Sequence, residues 1–145
     1  MGVILRRILG ALLLTAALSF APGATAKDFR PGDLRICDAK QCVAITDQAV
    51  LNTLSAFYYV GPQPARTRAP RMGAPAFQLK FTNGYVTGIV ASARLDRFLS
   101  YGVYLGRFRK GAWYRVPERA AQELLRLSEP LKPMRVTRAA IRKSH

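Results

Sequence analysis

The stretch Ala76-Phe77-Gln78-Leu79-Lys80-Phe81-Thr82-Asn83-Gly84-Tyr85-Val86-Thr87-Gly88-Ile89-Val90-Ala91 decides how this chain folds. Phe77, Leu79 and Phe81 alternate with Gln78, Lys80 and Thr82, the period of a strand with one apolar face. Asn83-Gly84 then supplies the residue pair that a two-residue type I′ turn favours, since both central positions take positive φ. With that loop Phe81 faces Val86, Leu79 faces Gly88 and Phe77 faces Val90, and the six share a buried face. Gly88 opposite Leu79 leaves a gap that a side chain from a packed helix is expected to fill.

Upstream lies a second hairpin, Leu34-Arg-Ile-Cys37-Asp-Ala-Lys-Gln-Cys42-Val-Ala-Ile45. Apolar residues flank both cysteines, so a four-residue loop bridged across two strands is predicted, with Cys37 and Cys42 as a structural disulfide. The ring is small, and loop entropy gives it about 2 kcal/mol. A redox couple would favour Cys-x-x-Cys at a helix N-terminus, and two thiols with one terminal histidine, His145, do not make a four-ligand metal site.

Thr46 is the expected cap of a helix over 47–60, with Asp47 at its positive end. Val50, Leu51, Leu54, Phe57 and Tyr58 recur at helical spacing on its inner side. Gly61 to Pro75 holds four prolines with Arg66, Arg68 and Arg71 and no acid, which predicts an extended, exposed, basic loop. Leu95, Phe98 and Leu99 suggest a short helix within 92–101. Tyr101 to Leu105 and Ala112 to Val116 read as strands around a tip carrying Arg107, Arg109 and Lys110. Pro117 opens an amphipathic helix over 118–128, with Glu118 in its first turn. After Pro130 comes a basic tail, residues 131–145, with a short helix expected after Thr137.

The predicted fold class is α+β: one small domain over 27–130, antiparallel hairpins forming one sheet, and the two amphipathic helices packed on one face. Residues 1–26 read as a cleavable signal peptide. Arg6 and Arg7 precede an apolar run from Ile8 to Ala21, Pro22-Gly23 breaks it, and Ala24-Thr25-Ala26 presents small residues to a signal peptidase. The run is shorter than the roughly 20 residues that span a bilayer, and no second stretch of that length follows. The expected address is extracytoplasmic, in the periplasm, cell envelope or medium. This layout, a leader, a close Cys pair and a Trp-Tyr-Arg-Val-Pro strand end before an Ala/Leu-rich helix, resembles that of secreted bacterial proteins, a likeness that brings no activity with it.

Charge is the strongest compositional signal. The chain holds 23 Lys and Arg against 8 acids, and only Arg6 and Arg7 lie in the leader, so residues 27–145 carry a net +13. Such a surface attracts anions over about a Debye length, ~8 Å at physiological salt. GC-rich coding also yields arginine-rich chains without a selected ligand. The anion-contact candidates are Arg66, Arg68, Arg71, Arg107, Arg109 and Lys110.

Catalytic motifs are missing. With its one histidine at the C-terminus the chain lacks the usual base for a serine or cysteine nucleophile, although Lys or a carboxylate can substitute. No carboxylate pair suits glycoside chemistry, and no phosphate-cradling or dinucleotide motif occurs. No cofactor is expected. The sequence therefore favours a non-enzymatic basic module whose partner is an anionic polymer, a lipid headgroup or an acidic protein. The alternative is a protein–protein or inhibitor module using an aromatic patch at Trp113 and Tyr104. A small hydrolase would instead show a cleft joining Asp96, Tyr101 and a serine.

Overall fold

A computed structural model describes residues 29–55, 57, 64–101 and 111–142. They form one small domain built on an antiparallel sheet of seven strands with three helices. In chain order these are β1 (Leu34–Cys37), β2 (Cys42–Ala44), α1 (Gln48–Ser55), β3 (Pro75–Phe81), β4 (Val86–Ala91), β5 (Arg97–Ser100), β6 (Trp113–Arg115), α2 (Glu118–Leu127), β7 (Met134–Arg135) and α3 (Arg138–Arg142). The sheet runs β2-β1-β3-β4-β5-β6, and β7 pairs with the start of β3.

The central hairpin has the predicted pairs Phe77 with Val90 and Leu79 with Gly88. Its turn differs. Gly84 donates to the Phe81 carbonyl at 2.8 Å and Phe81 donates to the Tyr85 carbonyl at 3.0 Å, so the loop has three residues. Gly84 has φ +84° and Asn83 has no positive φ, which excludes the I′ turn. The Asn83 side chain instead accepts from the Tyr85 N–H at 3.0 Å. The extra loop residue is absorbed by a bulge beyond Leu79, which sets Val86 opposite Lys80 rather than Phe81. The Thr87 hydroxyl donates to the Leu79 carbonyl at 3.1 Å there, pairing a buried acceptor.

Gly88 makes room for a neighbouring strand, not for a helix. A Cβ built on it would meet the Leu99 carbonyl oxygen at an impossible distance and the Phe98 ring at 2.6 and 2.7 Å. Phe98 comes from β5, which pairs with β4, and the helix expected within 92–101 is therefore strand from Arg97 onward. Phe98 and Leu99 point to opposite faces and each is buried in a different apolar cluster. A strand buried on both sides loses its period-two signal.

The larger cluster gathers Leu34, Ile36, Phe77, Leu79, Val90, Phe98 and Tyr114 of the sheet with Val50, Leu51 and Leu54 of α1 and Ala120, Ala121 and Leu124 of α2. Phe57 sits between them, edge-on to Phe98 at 4.8 Å between ring centroids. Such a pair contributes about 1 kcal/mol beyond its buried area. Asp47, not Thr46, caps α1: its carboxylate accepts from the N–H groups of Ala49 and Val50 at 2.9 and 3.1 Å.

The smaller cluster lies on the other sheet face, where Ala76, Ile89, Ala91, Leu99 and Trp113 meet Val136, Ala140 and Ile141. Residues 131–142 are thus built into the fold rather than trailing as a tail. Leu131 and Val136 are buried, β7 pairs with β3, and the Trp113 indole N–H reaches the Ala140 carbonyl at 3.4 Å.

Cys37 and Cys42 form the expected disulfide. Between them Asp38 organises the loop: its carboxylate accepts from the backbone N–H of Lys40 at 2.7 Å, Gln41 at 2.8 Å and Lys132 at 2.9 Å. The Gln41 side chain adds a bond to the Pro130 carbonyl at 3.0 Å. The Cys loop is therefore a clasp on the segment that leads into β7. The backbone N–H groups of Lys132, Lys40 and Gln41 hold the Asp38 carboxyl below its ordinary range.

Candidate anion-binding surface

Proline keeps the segment before β3 out of helix, and the sheet captures it. Arg66 bridges to Tyr114, Thr67 donates to the Trp113 carbonyl at 3.0 Å, and Arg115 donates to the Ala65 carbonyl at 2.8 Å. Residues 65–67 thus run along the outer edge of β6. The chain then turns beneath the sheet, where Arg97 Nη1 donates to the carbonyls of Arg68 at 3.0 Å and Ala69 at 2.8 Å. A tight turn closes with Ala74 donating to the Arg71 carbonyl at 3.1 Å and Gly73 at φ +79°. Gly73 and Val136 are tied at 2.9 Å, and Arg135 Nη1 reaches the Gly73 carbonyl at 3.3 Å.

Arginines from four parts of the chain lie along this path. Arg66, Arg68 and Arg71 of the loop are exposed, as are Arg115 and Arg135. Arg97 lies directly across the sheet from Arg115. A groove of about 580 Å³ is lined by Arg68, Pro70, Arg71, Met72, Ser92 and Arg97. Met72 stands at its rim, 59% exposed. Asp96 Oδ1 is 3.8 Å from Arg97 Nε. Among the described residues the only other ion pair joins Glu123 to Arg126 on α2. Like charges placed directly opposite weaken a sheet, and here the Arg97 guanidinium is turned to the Arg68 and Ala69 carbonyls and lies near Asp96.

The Ser92 to Asp96 connection shapes the rim. Ser92 and Leu95 take φ of 104° and 52°, and Leu95 is buried. The Ser92 hydroxyl donates to Asp96 Oδ1 at 2.5 Å and accepts from the N–H groups of Arg94 and Asp96 at 3.2 and 3.3 Å. Its lone pairs are thereby engaged by the turn, and these bonds lock the loop rather than arming a nucleophile. Tyr101 lies beyond the far end of β5, about 13 Å along the strand from Arg97. Burial pushes its hydroxyl pKa up. The cleft of Asp96, Tyr101 and a serine that hydrolase chemistry would need does not form from these residues. A second cavity of about 500 Å³ is lined by Arg94, Asp96, Arg115, Glu118, Gln122 and Leu125, so it mixes both charges.

Arg107, Arg109, Lys110 and Tyr104 lie outside the described residues. Trp113 is buried, with 1% of its surface exposed, so it packs the smaller cluster and offers no patch to a partner. Arg97, Arg115 and Arg135 join the surface without having stood out in the sequence. Their signal is the alternation of arginine with apolar residues in Arg97-Phe98-Leu99 and Trp113-Tyr114-Arg115, visible once 97–100 is read as strand. Among the described residues no group of His, Cys, Asp or Glu could hold a metal ion, and no helix is long and apolar enough to cross a membrane. No family model, curated protein or solved structure matches this chain.

Proposed function

We propose that this chain is an exported, non-enzymatic module that binds a polyanionic partner of the cell envelope or its surroundings through the arginine surface. The observation that carries the reading is the groove lined by Arg68, Arg71 and Arg97, flanked by Arg135 at the Gly73 carbonyl, with no carboxylate among the described residues of its lining. The same reading takes α1 and α2 as packed together over one sheet face, supported by their apolar residues joining one cluster. The loop arginines then remain free for a ligand. The leader at 1–26 puts that ligand among envelope polymers, lipid headgroups or acidic proteins, and cleavage after Ala26 is testable by N-terminal sequencing of exported protein.

The test is retention on immobilised heparin as a function of salt. Removing one cation that pairs with the polyanion lowers the slope of log affinity against log salt by about 1. Replacing Arg66, Arg68 and Arg71 by Ser is expected to reduce the slope by about 3. A control with the same charge change at Lys40, Arg119 and Lys132, which are also exposed, is expected to alter it far less. Equal reductions in the two triple variants would reduce the binding to net charge alone and refute a dedicated surface.

A further inference from the structure

In the register of β1 against β3, Arg35 is directly opposite Lys80. Their row is flanked by Ala44 on β2 and Val86 on β4, and the next row on the same face holds Cys37 paired with Gln78. Opposed residues in such a ladder have Cβ atoms about 5 Å apart. The two long cationic side chains therefore extend from one row of one sheet face, and both are half-buried, where solvent screens like charges poorly. Among the described residues no carboxylate pairs with either, and neither Lys80 nor Gln78 forms a side-chain hydrogen bond.

Arg35 carries a second irregularity. Its Nε is closed off from solvent and has no hydrogen-bond partner, and it is the one such buried side-chain nitrogen or oxygen among the described residues. A buried donor left unpaired is rare in folded proteins and calls for a missing partner. Any hydrogen-bond acceptor would pair the Nε, but only an anion would also offset the like charges of Arg35 and Lys80. It must also be compact, since Ala44 and Val86 wall the row on both sides.

We infer that Arg35, Lys80 and Gln78 form a binding site for a single oxyanion group, phosphoryl or carboxylate, separate from the arginine surface. The guanidinium presents a planar pair of donors that matches two oxygens of such a group. The Lys80 ammonium supplies the second charge, and the Gln78 amide supplies a neutral donor. The same chemistry is offered by a free phosphate or carboxylate and by the headgroup of an acidic lipid. Because none of the three residues belongs to the loop surface, this site stands or falls independently of the polyanion reading.

The experiment is thermal unfolding of the full chain, followed by Trp113 fluorescence, with inorganic phosphate or acetate titrated at constant ionic strength against chloride. A ligand bound only by the folded state raises the midpoint as the logarithm of its concentration above Kd. Phosphate or acetate is expected to raise the midpoint over chloride, linearly in the logarithm of its concentration once above Kd. Lys80→Gln is expected to raise the midpoint in chloride alone, by removing the repulsion, and to abolish the added response. Arg35→Lys keeps the charge but not the planar donor edge, and is expected to weaken the response about tenfold. The Arg66, Arg68 and Arg71 triple variant should keep the full response. Vesicles containing phosphatidic acid, compared with neutral vesicles, then assign the source in the Arg66, Arg68 and Arg71 triple variant, where the arginine surface no longer contributes: co-sedimentation lost on adding Lys80→Gln identifies a lipid headgroup, and co-sedimentation unchanged by it identifies a free anion. Identical midpoints in phosphate, acetate and chloride, or an undiminished response in Lys80→Gln, would overturn the proposal.

Discussion

Replacing Gly88 by Ala tests the geometry of the sheet at its most crowded point. The added Cβ would collide with the Leu99 carbonyl oxygen and lie 2.6 Å from one Phe98 ring carbon and 2.7 Å from another. The ring could shift, but the carbonyl belongs to the β4–β5 pairing, where Gly88 is opposite Ser100 and Ile89 opposite Leu99. Relief thus requires the two strands to part, across a row that joins both apolar clusters. Overpacking a tight core costs about 1–3 kcal/mol when side chains alone give way. With backbone in the way the cost should reach about 3 kcal/mol or more. For a domain near 100 residues that lowers the melting midpoint by at least about 12 °C. Urea and thermal unfolding, read by Trp113, the one tryptophan, would measure it. Gly84→Ala is the control: its φ is +84° but nothing lies within 4 Å, so backbone strain alone should cost about 1 kcal/mol. Phe98→Ala combined with Gly88→Ala should rescue little, because the carbonyl clash persists. A Gly88→Ala protein within about 1 kcal/mol of the parent would refute the register argued for β4 and β5.

Three further outcomes follow from named interactions. Asp38→Asn should loosen the clasp on Lys132 and flatten the acid limb of the stability profile. Because the Asp38 carboxyl is held below its ordinary value of 3.8, its contribution is complete above that pH and is lost as pH falls through the lower, folded value, which thermal melts across the acid range will show. Replacing Cys37 and Cys42 together by Ser should cost about 2 kcal/mol in urea unfolding, and hydrogen exchange at β7 should rise because Asp38 and Gln41 lose their fixed loop. Ser92→Ala should cost about 1–2 kcal/mol, whereas Ser92→Gly should cost less, since Gly adopts φ near 104° freely while giving up the same hydroxyl bonds. Equal effects of the two substitutions would show that the backbone there stores no strain.

Much of the fold was legible in local patterns. The alternation over Phe77 to Phe81, the Cys spacing and the stripes at Val50 to Leu54 and Ala121 to Leu127 each report one buried face directly. What escaped the sequence depended on two faces or on distant partners. Phe98 and Leu99 are adjacent and both buried, so β5 has the pattern of a helix. Asn83-Gly84 favours a two-residue turn in isolation, yet the bulge at Thr87 changes the register and takes up a third loop residue. Residues 131–136 form a short segment fixed by distant partners: pairing with β3, the Asp38 clasp and the bonds of Val136 to Gly73 and Ala74. The candidate surface was half visible for the same reason. Arg66, Arg68 and Arg71 stand out as a run, whereas Arg97, Arg115 and Arg135 join them only through strand pairing.

The path of residues 65–67 along β6 has a consequence for assembly. An open edge strand is a template on which another chain can extend the sheet, and proteins blunt such edges. At one side of this sheet the edge is occupied by Thr67 and Ala65, bonded to Trp113 and Arg115. At the other side β2 is three residues long and begins at the disulfide. Recognition by strand addition is therefore closed at β6 and has little purchase at β2. The segment that seals the edge at β6 is also the one that holds Arg66, Arg68 and Arg71 at the surface. One proline-stiffened stretch thus both covers the β6 edge and carries three exposed arginines, so shortening it would uncover the edge and displace the charges together.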